Sequence, residues 1–242
     1  MNIGLFGYGR MGKMVEEIAI QRRHTVSEKI ETGMPFIGNA DVYIDFTLPE
    51  AVLENVEKAI SKKTPLVIGT TGWASFQDEV EKMGKDGGVA IIYGGNFSLG
   101  VNLFWRTLAK MTEEFSGFTE EYDVFSHEFH HRLKKDSPSG TALTTADIIL
   151  KNFPAKKTIC TDTLHERAIK PEELHVSSTR GGSIPGTHSA YFDSLFDTIE
   201  LTHTARSREG FALGAVLAAE QIHRLPAGLH HFPEIFEMLF KK

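Results

Sequence analysis

The chain predicts an α/β unit built on an open parallel sheet, joined to a second, α+β unit. Three observations carry this reading. Short apolar runs alternate with helical patterns through residues 1–97. A glycine-rich turn follows the first run directly. From Tyr122 onward the runs mix apolar residues with Thr, Ser and His, the pattern of a sheet with one polar face.

In order, Ile3-Gly4-Leu5-Phe6 reads as a buried strand, after which Met11, Met14, Val15, Ile18 and Ala19 recur at helical spacing. Val42–Phe46 is another strand. The next helix is expected to begin near Thr47, with its hydroxyl as cap, Glu50 completing a capping box and Pro49 in the first turn. Leu66–Ile68 and Val89–Tyr93 are further apolar runs, separated by a helical pattern through Phe76, Val80 and Met83. A helix over Ser98–Phe115 then leads to a strand over Tyr122–Phe129 and a short helix after Ser139. Strand patterns follow over Thr158–Leu164, Leu174–Arg180, His188–Phe192 and Asp197–Thr204. Phe211, Ala215, Ala218 and Ile222 return to helical spacing, and an amphipathic stretch runs through Ile235, Phe236 and Leu239. With no long linker before it, this tail is expected to pack back on the first unit.

Composition narrows the function. A chain of 242 residues can bury roughly 70% of its extended surface. Its 32 acidic and 26 basic residues give a net charge of −6, which argues against a protein built to grip nucleic acid. One cysteine, Cys160, excludes an intrachain disulfide and a thiolate zinc cluster. No run approaches the ~20 apolar residues of a membrane span, and Met1-Asn2-Ile3-Gly4 lacks the features of a signal peptide. The expectation is a cytoplasmic protein with neither nucleic acid nor membrane as partner.

Gly7-Tyr8-Gly9-Arg10-Met11-Gly12 is G-x-G-x-x-G between a strand and a helix. Gly7 permits the tight turn, Gly9 lets backbone approach a pyrophosphate, and Gly12 allows close helix–strand packing. The phosphate then meets unpaired amides at the helix start, with Arg10 beside it. This is the turn of a Rossmann-like dinucleotide-binding domain. The ribose-binding acid is expected about 20 residues further on, where Glu28 stands; Lys29 next to it suits a 2′-phosphate equally. NADH and NADPH both remain compatible. Phe46-Thr47, Gly69-Thr70-Thr71-Gly72 and Gly94-Gly95-Asn96-Phe97-Ser98 follow later strands, where ligands of open α/β sheets collect.

The densest polar segment is Glu128-Phe129-His130-His131-Arg132-Leu133-Lys134-Lys135-Asp136-Ser137-Pro138-Ser139-Gly140-Thr141. Ser139, Gly140 and Thr141 open a helix, and their amides and hydroxyls suit a carboxylate. Lys134 suits a second carboxylate or proton donation, and either His130 or His131 has the range of a general acid. Adjacent strand residues face opposite ways, so both histidines touch one ligand only if the strand ends or bulges there. His-His adjacency without H-E-x-x-H or a cysteine pair is a poor metal signature, and no metal is expected. Residue chemistry alone leaves two readings: a dehydrogenase of some small dicarboxylate, or a nucleotide-binding protein without turnover.

The segment His130–Ala142 closely resembles the diagnostic motif of the 4-hydroxy-tetrahydrodipicolinate reductase family, formerly dihydrodipicolinate reductases. The resemblance extends through Gly7–Gly12, Asp45-Phe46-Thr47, Gly69–Gly72, Asn96-Phe97-Ser98 and Arg180–His188, and ends near Arg208 and Phe211. It implies NADH- or NADPH-dependent reduction, with loss of water, of a small cyclic dicarboxylate in diaminopimelate and lysine synthesis. It further implies a homotetramer, with a dinucleotide-binding domain over 1–97 plus 208–242 and a substrate-binding and oligomerisation domain over 98–207. By position in the motif, His130 is the implied acid and Lys134 its catalytic partner, while His131, Ser139, Gly140 and Thr141 contact carboxylates. Gly7, Met11, Glu28, Gly69, Thr71, Asn96, Phe97 and Arg208 are implied to line the cofactor site. Two departures stand out: a compact stretch between Lys29 and Asp41, and Gly94-Gly95 where the family often has alanine and proline.

Overall fold

The computed structural model describes residues 1–31 and 33–239, in two units: 1–99 with 208–242, and 100–207. The first opens with β1 (Asn2–Phe6), α1 (Arg10–Gln21), β2 (Thr25–Ile30), β3 (Val42–Asp45), α2 (Val52–Ser61), β4 (Leu66–Ile68), α3 (Gln77–Gly87) and β5 (Ala90–Tyr93). β3, β4 and most of β5 are buried, as continuous apolar runs of a doubly covered parallel sheet should be.

The second unit holds α4 (Leu99–Phe115), which starts at the boundary, then β6 (Asp123–His130), α5 (Gly140–Asn152), β7 (Thr158–Cys160), β8 (Glu173–Arg180), β9 (Thr187–Asp193) and β10 (Thr198–Thr204). Its sheet runs β10-β9-β6-β8-β7, so β6 is central, antiparallel to β9 and parallel to β8. Val124, Ser126, Glu128 and His130 share the buried parity of β6. Phe104, Leu108, Val124, Ala146, Ile149, Phe153, Val176 and Phe192 form the core on that side. Thr158–Leu164 is strand only to Cys160, which is a free, buried thiol.

The chain then returns to the first unit with α6 (Glu209–Gln221) and β11 (Gly228–His231). α6 is apolar nearly all round, which suits a helix buried on most of its surface. β11 pairs in parallel with β5, giving the six-stranded order β11-β5-β4-β3-β1-β2. One face of this sheet packs Ile3, Leu5, Ile44 and Val67 against α1, α6 and the final segment through Phe232 and Phe236. The other packs Phe6, Tyr43, Leu66 and Ile68 against α2 and α3 through Val52, Val56 and Val80. Strand order reverses between β1 and β3, the switch point at which open α/β sheets leave a crevice.

One expected helix start is corrected. Pro49–Ala51 is a 3₁₀ turn preceded by Leu48 with no side-chain cap, and α2 begins only at Val52. Thr47 does not cap it, because its hydroxyl donates to Asp45 Oδ1 at 2.6 Å.

Candidate active site

In the first unit the strand-end loops meet at the carboxyl edge of the sheet. Gly7 holds φ +85°, and an added Cβ would lie 2.7 Å from the Phe46 carbonyl oxygen. At Gly12 the same atom would lie 2.3 Å from the Gly7 carbonyl, so helix and turn touch with no room for a side chain. Gly9 faces open space, and α1 starts with no side-chain cap, leaving its first amides turned to that space beside exposed Arg10. These are the features a pyrophosphate requires.

Asp45, fully buried at the end of β3, ties the loops together. It accepts from Thr47 N at 2.8 Å, Thr47 Oγ1, Asn55 Nδ2 at 2.9 Å and Thr70 Oγ1 at 2.9 Å. Burial raises its pKa and outweighs these neutral donors. Beside this brace, Met11, Phe46, Gly69, Thr71, Asn96, Phe97 and Arg208 line one concavity of about 250 Å³, with Gly94, Gly95 and Phe211.

Glu28 does not stand free for a ribose. Its buried carboxylate accepts from Ile37 N at 2.6 Å, Gly38 N, Asn39 N and the Tyr43 hydroxyl at 2.7 Å. Burial alone would raise its pKa; the Tyr43 and backbone donors together bring it below the usual range. It thus anchors residues 37–39 of the compact stretch before Asp41. Lys29 is committed as well, 2.7 Å from Glu16 Oε1 and 2.9 Å from the Tyr8 hydroxyl, over the Tyr8 ring. The residue that follows β2 beside the glycine turn is Glu31, since Gly7 N donates to Ile30 O at 2.9 Å. Counting about 20 residues from Gly12 finds it, but the weak apolar pattern of β2 hid where the strand ends.

In the second unit β6 ends at His130, which meets the condition for both histidines to face one space: His130 is buried at the strand end and His131 lies half-buried past it. Ser139 caps α5, its Oγ accepting from Ala142 N at 3.2 Å, and Gly140 and Thr141 form the first turn. Lys134 pairs with Asp136 Oδ1 at 2.9 Å.

Sequence reasoning missed what joins these parts. The register sets Glu128 opposite Ser178 on β8 and His188 on β9, and His130 opposite Arg180. Fully buried Glu128 accepts from Ser139 N at 2.9 Å, Ser139 Oγ, Ser178 Oγ at 2.8 Å and Arg180 Nη2 at 2.7 Å. Its Oε2 lies 3.2 Å from His130 Nδ1 and 3.7 Å from His188 Nδ1. Burial pushes the Glu128 pKa up, yet Ser139, Arg180 and Ser178 together outweigh it and bring the value down to about 2. Burial lowers His188 to about 4 and lowers His130 too; the Glu128 charge opposes the shift while Lys134 and Arg180 add to it. An acid on the buried parity of a strand was the available signal.

Glu128, His130 and His188 bring ligand-type atoms within 4.8 Å of one another. The Arg180 guanidinium already supplies the counter-charge of that carboxylate, and a cation added there would face it and Lys134. The cluster is therefore better suited to proton and carboxylate chemistry.

Comparison with known proteins agrees with both halves. The family model for the dihydrodipicolinate reductase N-terminus matches residues 1–97, and that for the C-terminus matches 100–236. A 4-hydroxy-tetrahydrodipicolinate reductase of Christiangramia forsetii is 39% identical, with all of each chain covered. One from Archaeoglobus fulgidus is 42% identical over 90% of this chain and 91% of its own. The solved structure of a dipicolinate-bound dihydrodipicolinate reductase from Paenisporosarcina sp. TG-14 superposes with a TM-score of 0.78 at 20% identity, covering 97% of this chain and 99% of that one, and so shares the fold. With both family halves matched in order and relatives aligned along nearly their whole length, the chain belongs to the dihydrodipicolinate reductase family.

Proposed function

We propose that, in the NAD(P)H-dependent reduction of 4-hydroxy-tetrahydrodipicolinate to tetrahydrodipicolinate that this chain catalyses, His130 and Lys134 handle the proton and His131, Ser139, Gly140 and Thr141 hold the substrate carboxylates. The observation that carries the assignment is the convergence of His130, the Ser139 cap and Arg180 on the single carboxylate of Glu128. A dianionic substrate placed at the start of α5 meets the positive end of the helix dipole and the Lys134 ammonium. Its charge raises the proton affinity of His130, against the burial that lowers it, so the imidazole gains its proton when it is needed.

The dinucleotide is assigned to the first unit, over Gly7, Gly9, Arg10, Met11 and Gly12 at the helix start and Phe46, Gly69, Thr71, Asn96, Phe97 and Arg208 around the concavity. Bound there, the nicotinamide supplies a hydride. NADH is the favoured form, because Lys29 is already neutralised by Glu16 and Glu31 is the acid at the end of β2. Residues 1–97 with 208–242 then serve as the dinucleotide-binding domain, and 98–207 as the substrate-binding and oligomerisation domain. Leu195 and Phe196, 95% and 89% exposed between β9 and β10, support self-association, and light scattering after gel filtration would test whether it reaches the homotetramer of the family. Among the described residues no helix is long and apolar enough to cross a membrane.

The direct test is NAD(P)H oxidation coupled to a synthase that makes the unstable substrate from pyruvate and aspartate semialdehyde. Oxidation should require both proteins, and Lys134→Ala should lower kcat by about a hundredfold while leaving nucleotide affinity unchanged. Unaltered turnover in that variant removes Lys134 from the mechanism.

A further inference from the structure

We propose that Glu128 is the positioning residue of this site: a carboxylate paired with Arg180 that keeps the imidazole proton of His130 on Nδ1 and locks the ring to the helix terminus that receives the substrate. The inference rests on the role given to His130 above.

Glu128 and His130 stand two residues apart on one face of β6, so their side chains rise side by side. Ser139 N, Ser178 Oγ and Arg180 Nη2 all donate to Oε1, which fixes the carboxylate plane. Oε2 takes Ser139 Oγ and turns its remaining side to His130 Nδ1 at 3.2 Å. That contact is too bent for a hydrogen bond, and among the described residues this nitrogen has no other partner. Charge therefore selects its state: a proton on Nδ1 is attracted to the carboxylate, whereas a lone pair there is repelled. The opposite nitrogen, Nε2, is left to exchange protons. It lies 2.9 Å from where a Cβ on Gly186 would fall, so the absence of a side chain there keeps the ring in its slot.

Ser139 closes the arrangement. Its hydroxyl donates to Glu128 and accepts from Ala142 N, so the cap of α5 and the His130 ring are registered on one carboxylate. The other groups facing His130 are Lys134 and Arg180, which lower its proton affinity, Asp136, which raises it, and the His188 ring 5.1 Å away. Glu128 is the largest of the charges that favour the protonated ring.

The experiment compares kcat–pH profiles of the wild type, Glu128→Gln and Glu128→Asp, with His130→Asn as reference. Glu128→Gln keeps the shape and removes the charge. Its kcat should fall about tenfold or more, and its alkaline limb should move down by about 1 pH unit, with KM changed far less than kcat. Glu128→Asp keeps the charge, so its limb should stay in place while kcat falls. A wild-type limb and turnover in Glu128→Gln, alongside a crippled His130→Asn, overturns the role of Glu128 and leaves that of His130. A fully active His130→Asn overturns the assignment beneath it. Should the variants not fold, nitrogen NMR of the wild-type histidines decides: neutral His130 should carry its proton on Nδ1, and a proton on Nε2 overturns the proposal.

Discussion

Asp45 and Glu128 are both fully buried, one in each unit, and each accepts from four donors. Their proton affinities nonetheless move in opposite directions. Burial wins at Asp45, whose donors are all neutral; at Glu128 burial is outweighed by Ser139, the Arg180 guanidinium at 2.7 Å and Ser178 together. The number of hydrogen bonds therefore does not by itself decide whether a buried acid keeps its charge: Glu28, with four neutral donors, also ends below the usual range, and the balance of burial against the donors sets the direction at each site. Asp45 works as a brace between two loops and needs only its oxygens. Glu128 sits beside His130, and the role proposed for it there needs its charge.

The largest expected break in this contrast is Glu128→Ala, which leaves Arg180 without its partner. It should cost about 3 kcal/mol of stability, read by urea unfolding, and abolish turnover. Nearly as large is the effect of acid. A carboxylate whose folded pKa is depressed stabilises fully above its unfolded value and loses that contribution as pH falls through the folded one. For Glu128, moving from the ordinary 4.5 to about 2, this is about 3 kcal/mol drained across that window. Asp45, with its pKa raised, has the opposite sign, and protonating it favours the fold. Urea midpoints over an acid series should therefore flatten in Glu128→Gln; an unchanged slope would mean that the charge of Glu128 is not what acid removes.

Asp45→Asn comes next. It should cost about 1–2 kcal/mol and weaken nucleotide binding several-fold, with kcat at saturation close to wild type. A loss of saturated kcat matching that of Glu128→Gln would erase the distinction between brace and charge. Smallest is Glu16→Gln, which frees Lys29 and should raise the NADPH-to-NADH ratio of kcat/KM by about threefold. No change in that ratio would show that Lys29 does not reach the nucleotide.

Much of this was legible in the residues. Gly7–Gly12 after an apolar strand announced the turn, and Ser139 before the Ala142, Ala146 and Ile149 stripe announced the cap, because both signals are local. Glu28 misled because its distance from the glycine turn suited a ribose acid, while donors in residues 37–39 and Tyr43 claimed it. Thr47 misled in the same way, its hydroxyl taken by Asp45 two residues earlier. β11 escaped because four residues, two of them histidine, carry too little pattern. The Glu128 cluster draws on three strands, and only their register brings Ser178, Arg180 and His188 to it. No spacing rule contains that.

The return of the final segment to the first unit bears on how the protein is made. β5 has β11 as its outer neighbour, and Phe97 packs on Phe232 at 4.6 Å between ring centroids. While the chain is being synthesised, residues 1–99 emerge first yet lack the strand, the helix α6 and the aromatic plug that finish their core. The nascent first half must wait, with an open sheet edge and an uncovered apolar face, until residues 208–239 leave the ribosome. The second unit, continuous in sequence, has no such wait, so vectorial synthesis favours its completion before the unit that precedes it.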